Sequence, residues 1–320
     1  MTRFGLQMPN FTFDGLASSA LFERIAETAA TAEDSGFDSF WVMDHYHQIG
    51  VQGPPSDEML EAYTLLGGVA ARTSRISLGA MVTGVTYRNP AFLAKVVTTL
   101  DIVSSGRAIL GIGAAWNEEE SRAYGYPWPP VRERFERLED ALRICRAMFT
   151  QEQSTVRGTH HSVDGAYNVP QPVQPGGPRI LIGGGGERRT LRLVALYADM
   201  WNGFGSPEDV RGKLEIIAEH CRDLGRDPDE IVTTRLGAIA LADTMEEAER
   251  ARESYQRRRG LDDAGVAAAL MWGTPDVVAE RVRAYLDTGL NGMIFNMPPG
   301  STPDDVRRVG ALLTERFASS

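Results

Sequence analysis

The chain has 320 residues, a formal net charge of −10 and two cysteines, Cys145 and Cys221. The acidic balance repels a phosphate backbone on average, which excludes nucleic-acid binding as the expected function. Two cysteines exclude a disulfide framework and match no zinc spacing. Hydrophobic residues at 42% and charged residues at 24% describe a globular chain. No apolar run reaches the roughly 18 residues of a membrane span, and no leader pattern opens the sequence. A reducing, cytoplasmic setting is expected.

The elements follow in chain order. A short apolar run over 3–8, closed by Pro9-Asn10, predicts the first strand. Leu21, Ile25, Ala29 and Ala32 share one helical face, and Gly36 ends a helix over 21–35. An aromatic and β-branched strand follows over 37–43. A helix over 57–72 carries Asp57 and Glu58 in its first turn, where the helix dipole favours them. A strand over 75–83, a helix over 90–104 and a strand over 107–112 come next. Residues 150–177 interrupt this rhythm with several Pro and Gly and hold a hairpin around 154–167. The alternation resumes with a strand over 179–182, a helix over 187–197, a strand over 199–202 and a helix over 207–224. A strand over 231–240 and a charged helix over 245–258 precede a second insertion, 260–273. A helix over 275–288, capped by Thr274 and ended by Gly289, a strand over 292–297 and a helix over 304–317 complete the chain.

Eight short strands without clean polar alternation read as parallel strands covered on both faces. Paired with helices, they predict one α/β domain over 1–320, a (β/α)8 TIM barrel with insertions after strand 4 and near strand 7. The runner-up is an open, doubly wound sheet.

A barrel carries its site at the carboxyl ends of its strands. Those ends here hold Asp44-His45-Tyr46-His47, Met81-Val82-Thr83-Gly84, Gly111-Ile112-Gly113-Ala114 and Gly183-Gly184-Gly185-Gly186-Glu187-Arg188. The four glycines before a helix suit phosphate, because bare backbone approaches a ligand closely and helix N–H groups face it; the other reading is a tight turn. Gly111-Ile112-Gly113 begins a dinucleotide-like fingerprint that Trp116 breaks. His45 and His47 suggest a metal pair without the further ligands a metal needs, so no metal is expected. The other readings of His45 are a proton donor or acceptor and a structural histidine.

Taken together in order, 36–48, 75–125, 179–202 and 273–289 resemble the bacterial luciferase-like monooxygenase superfamily, in its coenzyme F420-dependent oxidoreductase branch. The resemblance extends over nearly the whole chain. It implies a barrel with a deazaflavin across the strand ends, backed by a non-proline cis bond at Met81-Val82, with Thr83 beside it. It implies a catalytic Asp-His pair at Asp44 and His45, with Asp44 orienting His45 or touching the ring. Gly111, Gly113 and Ala114 would line the cofactor tail, and Gly183 to Gly186 with Glu187 and Arg188 would hold its phosphate. The resemblance also implies a homodimer. Flavin-using relatives commonly have arginine where this chain has Ala114, which favours F420; FMN, in a two-component monooxygenase using reduced flavin and oxygen, is the alternative. Trp116 and Ile49 replace the glutamate and tryptophan of F420-dependent sugar-phosphate dehydrogenases. Another substrate is therefore expected, a small hydrophobic or aromatic molecule.

Overall fold

Residues 2–317 are described by a computed structural model. In chain order its elements begin β1 (Arg3–Met8), α1 (Leu21–Asp34), β2 (Ser39–Val42), α2 (Ala62–Ala70), β3 (Ser77–Ala80), β4 (Thr83–Gly84), α3 (Pro90–Val103) and β5 (Ala108–Gly113). The middle holds α4 (Glu118–Ala123), α5 (Val131–Thr150), β6 (Gln153–Val156), β7 (Val163–Tyr167), β8 (Arg179–Gly183), α6 (Thr190–Tyr197), β9 (Met200–Gly203) and α7 (Pro207–Leu224). The last part is β10 (Val232–Leu241), α8 (Met245–Arg259), α9 (Asp263–Ala269), β11 (Leu270–Gly273), α10 (Pro275–Leu286), β12 (Gly292–Asn296) and α11 (Pro303–Phe317).

Strands β1, β2, β3, β5, β8, β9, β10 and β12 pair in parallel, and β12 returns to β1, so the sheet closes into an eight-stranded barrel ringed by helices. Gln7 faces Trp41 on β2 and Asn296 on β12, which fixes the register across the first strand. Inside the barrel, Trp41, Ile109, Leu181, Met200 and Ile294 pack together. The Trp41 ring has room because Gly79 lacks a Cβ, which would stand 2.6 Å from ring carbon Cζ3. A larger core lies between barrel and helices, where Leu66, Val97, Leu142 and Val309 are fully covered.

The helix ends follow from local sequence. Ser206 with Asp209 and Thr244 with Glu247 form capping boxes that satisfy free N–H groups at the starts of α7 and α8. Gly225 and Gly260 end those helices at φ 67° and 61°, the left-handed region that glycine enters without a steric penalty.

The structure differs from the sequence reading in four places. Helices α4 and α5 fill 118–150, where sequence reasoning bounded no element. Helix α2 starts at Ala62, not near Asp57, because the Glu61 side chain caps it by accepting from Thr64 N–H at 2.7 Å. Helix α6 starts at Thr190, three residues beyond the expected Glu187. The expected insertion 260–273 is α9 and β11, and β11 lengthens the sheet beside the carboxyl half of β10. The expected hairpin is present as antiparallel β6 and β7.

Candidate active site

A cavity of about 640 Å³ opens at the carboxyl ends of the barrel strands. Its floor and one wall come from Met81, Val82, Thr83 and Gly84, the segment between β3 and β4. The Met81–Val82 bond is cis. Gln7, buried inside the barrel, donates its Nε2 to Met81 O at 2.9 Å, and Tyr63 O–H meets Thr83 Oγ1 at 2.6 Å. The Val82 side chain rests in a cradle of glycines: a Cβ on Gly113 or Gly183 would stand 2.9 Å from one of its methyl carbons. A Cβ on Gly111 would collide with the Ala80 carbonyl oxygen. Gly111 therefore lies beneath the wall and does not line the cavity, whereas Gly113, Ala114, Gly183 and Gly184 do. These glycines first make room for protein.

His45 lines the cavity, 14% exposed at its side chain, with Trp116 edge-on at 5.5 Å between ring centroids. Its Nδ1 contacts Glu120 Oε2 at 2.6 Å. Sequence reasoning missed this glutamate and gave the orienting role to Asp44. Asp44 is occupied otherwise: Arg88 grips both its oxygens, at 2.7 and 2.9 Å, and Gly84 N–H donates to it at 3.3 Å. Burial pushes the Asp44 carboxyl up to about 6 against the pull of Arg88. Asp44 thus ties the 84–88 segment to the end of β2. His47 Nδ1 turns to Gln48 O at 3.0 Å, and among the described residues no group of three His, Cys, Asp or Glu could hold a metal ion.

The glycine run divides. Gly183 supports Val82; Gly184, at φ 115°, turns the chain and donates its N–H to Asn202 O at 3.0 Å. Trp201 braces the turn from below through Nε1 to Gly184 O at 2.8 Å. Gly185, Gly186, Glu187 and Arg188 lie beyond the cavity rim, the last three exposed. Among the described residues, the N–H groups of Gly185, Gly186 and Glu187 have no acceptor in the chain. Lys213, on α7, lays its stem over Gly185: a Cβ there would stand 2.8 Å from Lys213 Cε and 3.5 Å from Nζ. The loop thus has a cation beside it that the sequence reading did not identify, alongside the expected Arg188.

The rest of the lining is largely apolar and aromatic, with Ile49, Trp116, Phe204, Tyr255 and Ala268. Trp116 and Phe204 are 63% and 56% exposed at the mouth. Asp44 is the only carboxylate among the described lining residues, and Arg259 the only guanidinium or ammonium. Arg259 donates to Val51 O, which joins the end of α8 to the loop after β2. The Asn296 side-chain oxygen lines the cavity and is buried without a partner.

The comparisons with known proteins converge on the same architecture. The F420-dependent glucose-6-phosphate dehydrogenase of Nocardia farcinica is 30% identical over 308 residues, 86% of this chain and 88% of that one. The solved F420-dependent tetrahydromethanopterin reductase from Methanopyrus kandleri superposes with a TM-score of 0.80 at 19% identity, over 99% of both chains. The EDTA monooxygenase of Chelativorans sp. BNC1 superposes with a TM-score of 0.84 at 18% identity, over 99% of this chain and 94% of that one. The family model described as luciferase-like monooxygenase matches residues 2–261, and with the barrel and its strand-end cavity in place, the chain belongs to the luciferase-like monooxygenase family.

Proposed function

We propose that this chain is an oxidoreductase that passes a hydride between C5 of coenzyme F420 and a small, largely apolar organic molecule. The observation that carries the reading is the cavity, which the continuous Met81–Gly84 segment, the aromatic side chains Trp116, Phe204 and Tyr255, and His45 line together. Relatives named as F420-dependent dehydrogenases, matched across 86% of the chain, support the choice of cofactor. The residues fit such a group. The Met81–Gly84 segment would back a flat ring, the orphaned Asn296 oxygen would accept a ring N–H, and the Gly185–Glu187 N–H groups with Lys213 would hold a phosphate. When bound, the deazaflavin supplies or accepts the hydride.

The chain's own residues supply positioning, a dry environment and a proton. Trp116, Phe204 and Ile49 line the cavity with apolar surface, which with cofactor and substrate bound would exclude water and strengthen the polar contacts inside. His45 gives or takes the proton that balances the hydride. The charge inventory supports an uncharged substrate. Asp44 is closed by Arg88, and Arg259 is the one cation among the described lining residues, so a sugar phosphate dianion would find a single guanidinium there. The lining thus favours an uncharged molecule over the glucose 6-phosphate in the relatives' names. A homodimer belongs to the same proposal: Phe92 and Val103 on α3 are exposed apolar side chains, and the mass in solution tests it.

The test is a fluorescence titration with F420 and, separately, with FMN, followed by F420 absorbance in the presence of cyclic enones, imines and alcohols. The expected result is micromolar F420 binding, weaker FMN binding, and turnover that His45→Ala abolishes while F420 binding persists. Preference for FMN with substrate-dependent oxygen consumption would overturn the assignment in favour of a flavin monooxygenase.

A further inference from the structure

The acidic run at 118–120 reads in sequence as the solvated first turn of a helix. Its third member departs from that pattern. Glu118 and Glu119 are exposed, whereas the Glu120 side chain is 0% exposed. Asn117 caps α4 and sets the turn, accepting from Glu120 N–H at 3.3 Å. The carboxylate thereby points back under the loop after β2.

Four donors meet it there. His45 Nδ1 and Tyr87 O–H both contact Oε2 at 2.6 Å, and the backbone N–H groups of Tyr46 and His47 reach Oε1, the latter at 3.4 Å. Among the described residues no Lys or Arg forms an ion pair with Glu120. Burial opposes its charge, but the bonds from His45, Tyr87 and the backbone outweigh burial and hold the carboxyl below the ordinary glutamate value. Burial, with the neighbouring Glu120 charge, raises the Tyr87 hydroxyl, which stays a donor. An ionised carboxylate only accepts hydrogen bonds, so Nδ1 is the ring nitrogen that carries hydrogen in this contact. Nε2 is then the ring nitrogen left without a partner among the described residues. Asp44 cannot take this role, because both its oxygens face Arg88.

Resting on the function proposed above, we infer that Glu120 is a positioning residue for hydride transfer: it fixes His45 with Nδ1–H on the glutamate and Nε2 toward the cavity, and it balances the imidazolium formed when Nε2 carries a proton. In the reducing direction the deazaflavin, when bound, would supply a hydride to an unsaturated carbon of the substrate and be oxidised. The Nε2 proton goes to the adjoining atom of the double bond. The substrate gains two electrons, and the imidazole is left neutral with Nδ1–H still on Glu120. Oxidation runs the same atoms backwards.

The experiment combines kinetics with ¹⁵N spectroscopy of the imidazole. His45→Asn assigns the His45 signals among the five histidines. In the wild-type protein the neutral form of the His45 ring carries its hydrogen on Nδ1. In Glu120→Gln that preference is lost and kcat falls about 100-fold, while the F420 dissociation constant and substrate KM stay within about threefold. Tyr87→Phe keeps the His45 contact, so it keeps the tautomer and loses less than about tenfold in kcat. Wild-type kcat in Glu120→Gln, or an Nε2–H tautomer in the wild-type spectrum, overturns the inference. The spectrum also decides if Glu120→Gln does not fold. A protein that binds no F420 refutes the proposed reaction, and because the spectrum needs no cofactor the two failures are told apart.

Discussion

Three glycine-to-alanine changes under the cavity wall are chemically identical, and the structure gives them unequal outcomes. On Gly113 the new Cβ would stand 2.9 Å from Val82 Cγ2, and on Gly183 it would stand 2.9 and 3.2 Å from the two Val82 methyl carbons. Both conflicts are with a side chain. Overpacking of this kind costs about 1–3 kcal/mol, and alanine recovers about 0.4–1 kcal/mol by restricting the unfolded chain. The expected net loss is about 1–2 kcal/mol for each. Val82→Ala removes both offending methyls, so each double variant should recover about 1 kcal/mol relative to additivity. On Gly111 the conflict is with the Ala80 carbonyl oxygen, and β3 and β5 must part to relieve it. That variant loses about 3 kcal/mol or more, and Val82→Ala does not rescue it. Urea midpoints at constant slope give the free energies, and at about 2.1 cal/mol/K per residue each kcal/mol lowers the melting temperature by about 1.5 °C. F420 titration of the same variants reports the wall itself. Wild-type stability in Gly113→Ala and Gly183→Ala, or equal rescue of all three, would refute the cradle.

Two further outcomes are expected. Lys213→Met should weaken F420 binding about tenfold with kcat unchanged at saturation, and the loss should shrink at high salt, because an exposed charge is screened; an unchanged titration would remove Lys213 from the site. Glu33, on α1, receives the N–H groups of Ser74, Arg75 and Ile76; although burial opposes its charge, those bonds lower it from 4.5 to about 2. Because the folded value is depressed, this stabilisation is present above pH 4.5 and is lost as pH falls toward 2. It amounts to about 3 kcal/mol. Glu33→Gln should flatten that part of the stability–pH curve, and a curve of unchanged steepness counts against the assignment.

The barrel was legible because apolar runs and helical periods depend on neighbouring residues. Leu21, Ile25, Ala29 and Ala32 declare one face, and all four are buried. The same signal exists in α5, where Leu138, Leu142, Cys145 and Phe149 repeat at helical spacing and are buried, yet many charged residues obscure it. The site was legible only in part. His45 could be named from its place after a strand. Glu120 could not, since its partner lies 75 residues away and its sequence neighbours are solvated. The resemblance suggested Asp44 for the orienting role or for contact with the ring, but the Asp44 side chain is held by Arg88, which comes 44 residues later. Gly111 and Gly113 resembled a cofactor motif because close packing of protein and close approach of ligand both require a missing Cβ.

Strand β10 has ten residues, and only its first part belongs to the closed barrel. Its last four, Ala238 to Leu241, pair with β11, while Arg235 lower on the strand donates to Ala268 O in α9. One part of the cavity lining, Leu236 to Ala238, thus stands on a strand rising from the barrel rather than on a loop. Strand pairing on both edges restrains that part of the lining more than the loops that carry Ile49, Trp116 and Phe204 are restrained.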